Sequence, residues 1–164
     1  MTAPDAGSLD AELVAFVQGG VGIVVASRDD RLLASIARGV GCRVEEDARR
    51  VTVFVVRSEN AALLADIRRH RVIAVVFSAP ASHRTVQLKG FDAREREVGP
   101  DDAPQLAAYA RAFDEVLTGI GFGHGYAGAL IAHPPGDLVG VGFTVSEGYL
   151  QTPGPRAGER LDGR

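Results

Sequence analysis

Tryptophan is absent from the chain, aromatic residues make up 6% of it, and there is one cysteine. Without an abundance of exposed aromatic side chains there is no stacking platform for nucleic-acid bases. A net charge of −3 removes the electrostatic footprint of nonspecific nucleic-acid binding as well. A single thiol excludes an internal disulfide framework and any paired-cysteine metal or redox motif. Cys42 then reads as a small hydrophobe in a strand. No apolar run approaches the roughly 18–20 residues that span a bilayer. The start, MTAPDAGSLDAEL, has acids where a secretory signal has basic residues, so the expectation is a cytoplasmic protein with neither membrane nor nucleic acid as partner.

What is present is hydrophobic patterning over 164 residues, 46% of them apolar, enough for one domain with one core. The strongest pattern lies in Arg71–Arg94. Val72–Phe77 is an apolar β-branched run, Ser78–Ser82 is turn material, and His83–Ala93 alternates. Val86 and Leu88 fall on one face, with Thr85, Gln87 and Lys89 on the other. This predicts a buried strand followed by a half-buried one.

The elements before the hairpin follow in order. A loose tail over Met1–Ser8 leads to a helix capped by Ser8 or Asp10 and stopped at Gly19-Gly20. Val21–Ala26 and Leu32–Ala37 form a hairpin around Ser27–Asp30. The run Arg38–Val44 alternates weakly, and its glycines predict a bulge or a close backbone approach. Val51–Val56 is a strand, and a helix runs from Glu59 to about Arg69, capped by Ser58, with Leu63, Leu64 and Ile67 inward.

After the hairpin, a charged continuation leads to Pro100-Asp101-Asp102. These open an amphipathic helix carrying Leu106, Tyr109, Phe113, Val116, Leu117 and Ile120 at helical spacing. A helical insertion therefore occupies about 100–133, Leu138–Leu150 is a last strand, and 151–164 is an extended tail. Short strands without an alternating strand–helix rhythm predict a mainly β fold: an antiparallel barrel or sandwich with peripheral helices.

Several chemistries lack their residues. The histidines (His70, His83, His124 and His133) show no metal-ligand spacing, and no serine sits in a nucleophile elbow. The glycine-rich stretch Gly119–Gly128 follows a helix, whereas a dinucleotide fingerprint follows a strand, so it reads as a connection. No catalytic residue is assigned. Cations and amides on strands remain: Arg38 and Arg43 flank a glycine-containing run, and Gln87 and Lys89 share a strand face. Ser58 stands at a helix N-terminus, where free N–H groups favour an anion. A phosphate needs such convergent donors.

The order of these motifs resembles the pyridoxamine 5'-phosphate oxidase-like family of FMN-binding split barrels. The resemblance covers roughly Val21–Ala93, with a weaker echo in the final strand. It rests on ASRDDRLLASIARGVGCR, RVTVFVV, SENAALLADIRRHRVIAVVF and HRTVQLKG. It implies an antiparallel split barrel, and a homodimer whose subunit interface builds two FMN sites. It further implies that Arg38 and Arg43 take the place of the family's Arg and Lys on the FMN phosphate. Ser58 matches the first residue of a Ser-Arg-Lys phosphate motif, whose two cations are here Glu59 and Asn60. Arg84–Gly90 fits the family's Arg-x-Val-x-x-x-Gly strand, placing Gln87 and Lys89 near the flavin ring or ribityl chain. The implied activity is that of a flavin-dependent oxidoreductase of unknown substrate. Its alternative is a non-catalytic, ligand-binding or purely dimeric barrel that has lost FMN. A haem or deazaflavin binder, with His83 or His124 as haem ligand, ranks third.

Overall fold

The computed structural model describes residues 8–161; most of the tail expected at Met1–Ser8 lies outside them. Helix α1 (Ala11–Val17) is capped by Asp10, whose carboxylate accepts the Leu13 N–H at 2.7 Å. Among the described residues nine strands follow: β1 (Gly22–Arg28), β2 (Ala34–Gly39), β3 (Gly41–Val44), β4 (Arg50–Val56), β5 (Ile73–Ser78), β6 (Thr85–Gly90), β7 (Arg94–Arg96), β8 (Leu138–Thr144) and β9 (Glu147–Leu150). Helix α2 (Ala61–His70) joins β4 to β5. A 3-10 turn (Pro100–Asp102), α3 (Ala103–Gly119) and α4 (Tyr126–Leu130) fill the interval between β7 and β8.

The strands form two antiparallel sheets, one ordered β2-β1-β5-β6-β9 and the other β3-β4-β8-β7. Period-2 burial runs through β1, β5 and β6, so one face of the five-stranded sheet is core. Ile23, Val25, Val75, Phe77, Val86 and Leu88 meet Val51, Val53, Val139 and Val141 of the other sheet there. β4 and β8 are buried almost throughout, because their second face is covered as well: Phe54, Val56, Val40 and Leu138 pack with Leu106 of α3.

Gly39 and Gly41 explain the weak alternation of Arg38–Val44. The chain leaves one sheet at Gly39 and enters the other at Gly41. A Cβ at Gly39 would stand 2.4 Å from Ile23 Cγ2, so this is a close approach.

Several boundaries differ from the sequence reading: β2, expected at Leu32–Ala37, runs Ala34–Gly39 and so includes Arg38. β1 runs on through Ser27 and Arg28; the turn instead centres on Asp29, whose carboxylate accepts the N–H groups of Arg31 and Leu33 at 2.8 Å each. Asn60, not Ser58, is the N-cap of α2. The last strand is two strands in different sheets, because the chain switches sheets at Val145–Ser146.

Cys42 is fully buried on β3, and burial pushes its thiol pKa well above the ordinary value. The native protein is expected to give no colour with a thiol-reactive disulfide reagent, and one equivalent after unfolding in guanidinium. Rapid labelling of the native chain would contradict this placement.

Candidate functional site

The outer face of the five-stranded sheet gathers three of the five expected site residues. Register puts Arg38 opposite Val24, Val24 opposite Val76, Val76 opposite Gln87, and Gln87 opposite Tyr149. This row crosses the whole sheet, from an exposed cation to an amide over two valines. At ~4.8 Å per strand, Arg38 and Gln87 stand roughly 14 Å apart. Lys89 belongs to the next row, opposite Ala74 and Glu147, and its ammonium lies 4.9 Å from the centre of the Tyr149 ring. The middle of the face is apolar and open: Val24 is 44% and Ile36 66% exposed.

Arg43 and Ser58 lie elsewhere. Arg43 projects from β3 in the other sheet, where its Nη1 donates to Asp102 Oδ1 at 3.0 Å. The Ser58 hydroxyl donates to Asp137, and the Ser58 backbone N–H reaches the same carboxylate at 3.2 Å. Two of the three groups expected to hold a phosphate are therefore held by carboxylates of their own chain.

Asp102 is the more thoroughly enclosed of the two acids, at 1% side-chain exposure. Arg96 grips it with both terminal nitrogens, at 2.7 and 2.8 Å, and the Gly99 N–H adds a bond of 2.8 Å. The Arg96 bonds are the main reason its pKa lies far below the usual carboxylate range. The Gly99 and Arg43 bonds add to this, against the opposing effect of burial. Sequence reasoning took Asp102 as part of a helix opening. The signal it left was the pair Arg96 and Asp102, six residues apart across a glycine and a proline.

Among the described residues no cluster of three His, Cys, Asp or Glu side chains could hold a metal, and no helix is long and apolar enough to cross a membrane. His83 lies in the connection between β5 and β6, and the His124 side chain is 88% exposed.

No protein-family model and no curated protein matches the sequence. Solved structures do match. HupZ of Group A Streptococcus aligns with a TM-score of 0.53 at 16% identity, over 92% of this chain and 99% of its own. A pyridoxamine 5'-phosphate oxidase candidate from Lactobacillus delbrueckii aligns at 0.52 and 14% identity, over 87% and 93%. The fold is that of the pyridoxamine 5'-phosphate oxidase-like split barrels. An F420 reductase shares it, at a TM-score of 0.52 and 10% identity, over 82% of this chain and 93% of its own. At these identities the likeness establishes the split barrel as the architecture and says nothing about individual residues.

Proposed function

We propose that this split barrel binds a flavin-type cofactor, FMN first among them, across the outer face of its five-stranded sheet. The observation that carries the reading is the Arg38–Val24–Val76–Gln87 row. It offers a cation for a phosphate, an apolar strip for a planar ring, and an amide to hydrogen-bond the ring's polar edge. Lys89 stands one row further, within side-chain reach of the ribityl chain or ring. Arg43 and Ser58 are engaged by Asp102 and Asp137, so Arg38 carries the phosphate contact in this reading. The two solved neighbours described as a pyridoxamine 5'-phosphate oxidase candidate and an F420 reductase support a flavin-type group on such a scaffold. Bound flavin supplies hydride chemistry; the protein contributes orientation and local charge.

The same face suits a homodimer, because a second copy laid across it buries Val24 and Ile36 and closes the cofactor from water. Sedimentation is expected to give twice the chain mass.

The test is a fluorescence titration of the purified protein with FMN. Losing a charged hydrogen bond costs about 1.5–3 kcal/mol, so Arg38→Ala is expected to weaken binding by about ten-fold or more. Equal affinity in the variant removes Arg38 from the site. A wild type that binds no FMN at all favours the second reading, a barrel without flavin. The observation behind that alternative is that Asp102 and Asp137 already occupy Arg43 and Ser58, while Glu59 adds a negative charge next to Ser58 in the chain.

A further inference from the structure

The glycine-rich stretch Gly119–Gly128 takes no part in the flavin reading, yet it is more than a connection. Gly121 and Gly125 hold φ at +103° and +84°, a region that favours glycine over every residue with a Cβ. The backbone is tied to the end of α3: the Gly121 N–H donates to the Thr118 carbonyl and the Phe122 N–H to the Leu117 carbonyl, both at 3.0 Å. A turn fixed in this way presents Phe122 and Tyr126 together, their rings stacked at 4.6 Å with 19° between the planes. Ile120, Phe122 and Tyr126 are nevertheless 43%, 42% and 44% exposed. Each ring spends one face on the other and keeps its second face for something else. An apolar cluster of this kind with a polar rim marks a contact surface.

The rim says what kind of contact. Residues 112–155 contain no lysine or arginine, in a chain that carries 18. Asp114 stands beside the loop, its Oδ2 4.0 Å from Nδ1 of His124, and the exposed Glu115 follows it on α3. Arg111 lies one turn earlier. Among the described residues neither it nor any other lysine or arginine forms an ion pair with Asp114 or Glu115. α3 also ends at this loop with no basic residue in its last turn, so the negative end of its dipole lacks a cation. Such a rim repels an anionic lipid surface and attracts a cation. The free ring faces attract a cation as well, a guanidinium above all.

We infer that the Phe122–Tyr126 loop docks a short arginine-bearing segment of a partner protein. The guanidinium lies over the free face of the ring pair with Asp114 as its counter-charge, and an apolar neighbour in the segment covers Ile120. The surface uses no residue of the Arg38–Gln87 row.

Fluorescence polarisation on the full chain, with the dye-labelled peptide GLRLRG as probe, tests this. The expected result is saturable binding at about one per chain. It should be about ten-fold weaker when citrulline, neutral and of the same shape, replaces both arginines. Raising the salt from about 50 to 500 mM should weaken the arginine peptide and leave the citrulline peptide unchanged. Phe122→Ala and Asp114→Asn should each weaken the probe about five-fold or more, and Arg38→Ala should leave it unaltered. Phe122→Leu keeps the apolar bulk and removes the ring face, and should lose as much as the alanine; unchanged melting curves confirm that the variants are folded. No saturable binding, equal binding of the citrulline peptide, or no loss in Phe122→Leu would overturn the assignment. Two other occupants would overturn it as well. Co-sedimentation with phosphatidylglycerol vesicles that Phe122→Ala abolishes marks a membrane contact, and a lower sedimenting mass of Phe122→Ala marks a second copy of this chain. FMN affinity of Phe122→Ala is expected to be unchanged, so failure of this surface and failure of the flavin reading are seen separately.

Discussion

Asp102→Ala is expected to destabilise the protein by about 3 kcal/mol, since removing one partner from a buried ion pair typically costs ~3–5 kcal/mol. The lower end applies because the guanidinium groups left behind are each about one-third exposed, Arg43 at 30% and Arg96 at 33%, and water reaches them. The carboxylate itself is enclosed, and it joins three parts of the chain. Arg43 comes from β3, Arg96 from β7, and the Gly99 N–H from the turn that leads into α3. Without it, two guanidinium groups and one amide lose their acceptor, and the start of α3 loses its tie to the four-stranded sheet. Asp102→Asn preserves the shape and one acceptor oxygen, and is expected to cost less than the alanine.

The charge also fixes the pH dependence. The folded carboxyl is held below its ordinary value of 3.8, chiefly by the Arg96 hydrogen bonds. A depressed acid stabilises the fold fully above its unfolded pKa, and loses that contribution as the pH falls toward the folded one. The gap between wild type and Asp102→Ala in urea unfolding should therefore be constant from about pH 5 to 8 and shrink below pH 4. A gap under ~1 kcal/mol at pH 7, no larger than an exposed ion pair supplies, would show that the arginines find other partners.

Gly20→Ala is the second large effect, at about 3 kcal/mol, the upper end of what overpacking costs. A Cβ at this position would stand 2.4 Å from the carbonyl oxygen of Ala112 and 2.6 Å from its carbonyl carbon. Both are backbone atoms of α3, so no rotamer change relieves the contact; the helix has to move. Moving it pulls on Tyr109, whose buried hydroxyl donates to the Val21 carbonyl at 2.9 Å, and on Phe113, stacked against it at 5.6 Å. Gly128→Ala is the control. It lies in α4 with nothing within 4 Å of an added Cβ, and is expected to be neutral or slightly stabilising, since alanine exceeds glycine in a helix by ~0.5–1 kcal/mol. Equal effects at the two positions would mean that α3 is not seated on Gly20.

These two residues also show how far the sequence could be read. The hairpin of β5 and β6 was legible from the apolar β-branched run of the first strand and the alternation of the second, although β5 is half-buried and not buried throughout; α3 was legible because its apolar stripe recurs at helical spacing. Gln87 and Lys89 could be placed on one strand face by the same alternation, whereas Arg38 was read only as flanking a glycine-containing run and its place on β2 emerged from the structure. Their gathering on one face depends on the β2-β1-β5-β6 order, which pairs strands distant in sequence and leaves no local mark. Gly20 read as a helix stop; the approach of α3, some ninety residues later, is a tertiary fact. Arg28 read as a turn residue, because Asp29 and Asp30 beside it are turn formers, yet β1 extends through it. Arg43 and Ser58 were recognised as anion-seeking groups on sound chemistry. The acids they meet, Asp102 and Asp137, lie 59 and 79 residues further on, so nothing local marks them as partners.

The most direct measurement is an absorption spectrum of the purified protein, equilibrated with FMN and passed through a desalting column. Flavin bands that stay with the protein at about one per chain, and that wash off Arg38→Ala, are the predicted result. A colourless wild type after reconstitution would contradict flavin binding and leave the split barrel as a scaffold for some other ligand.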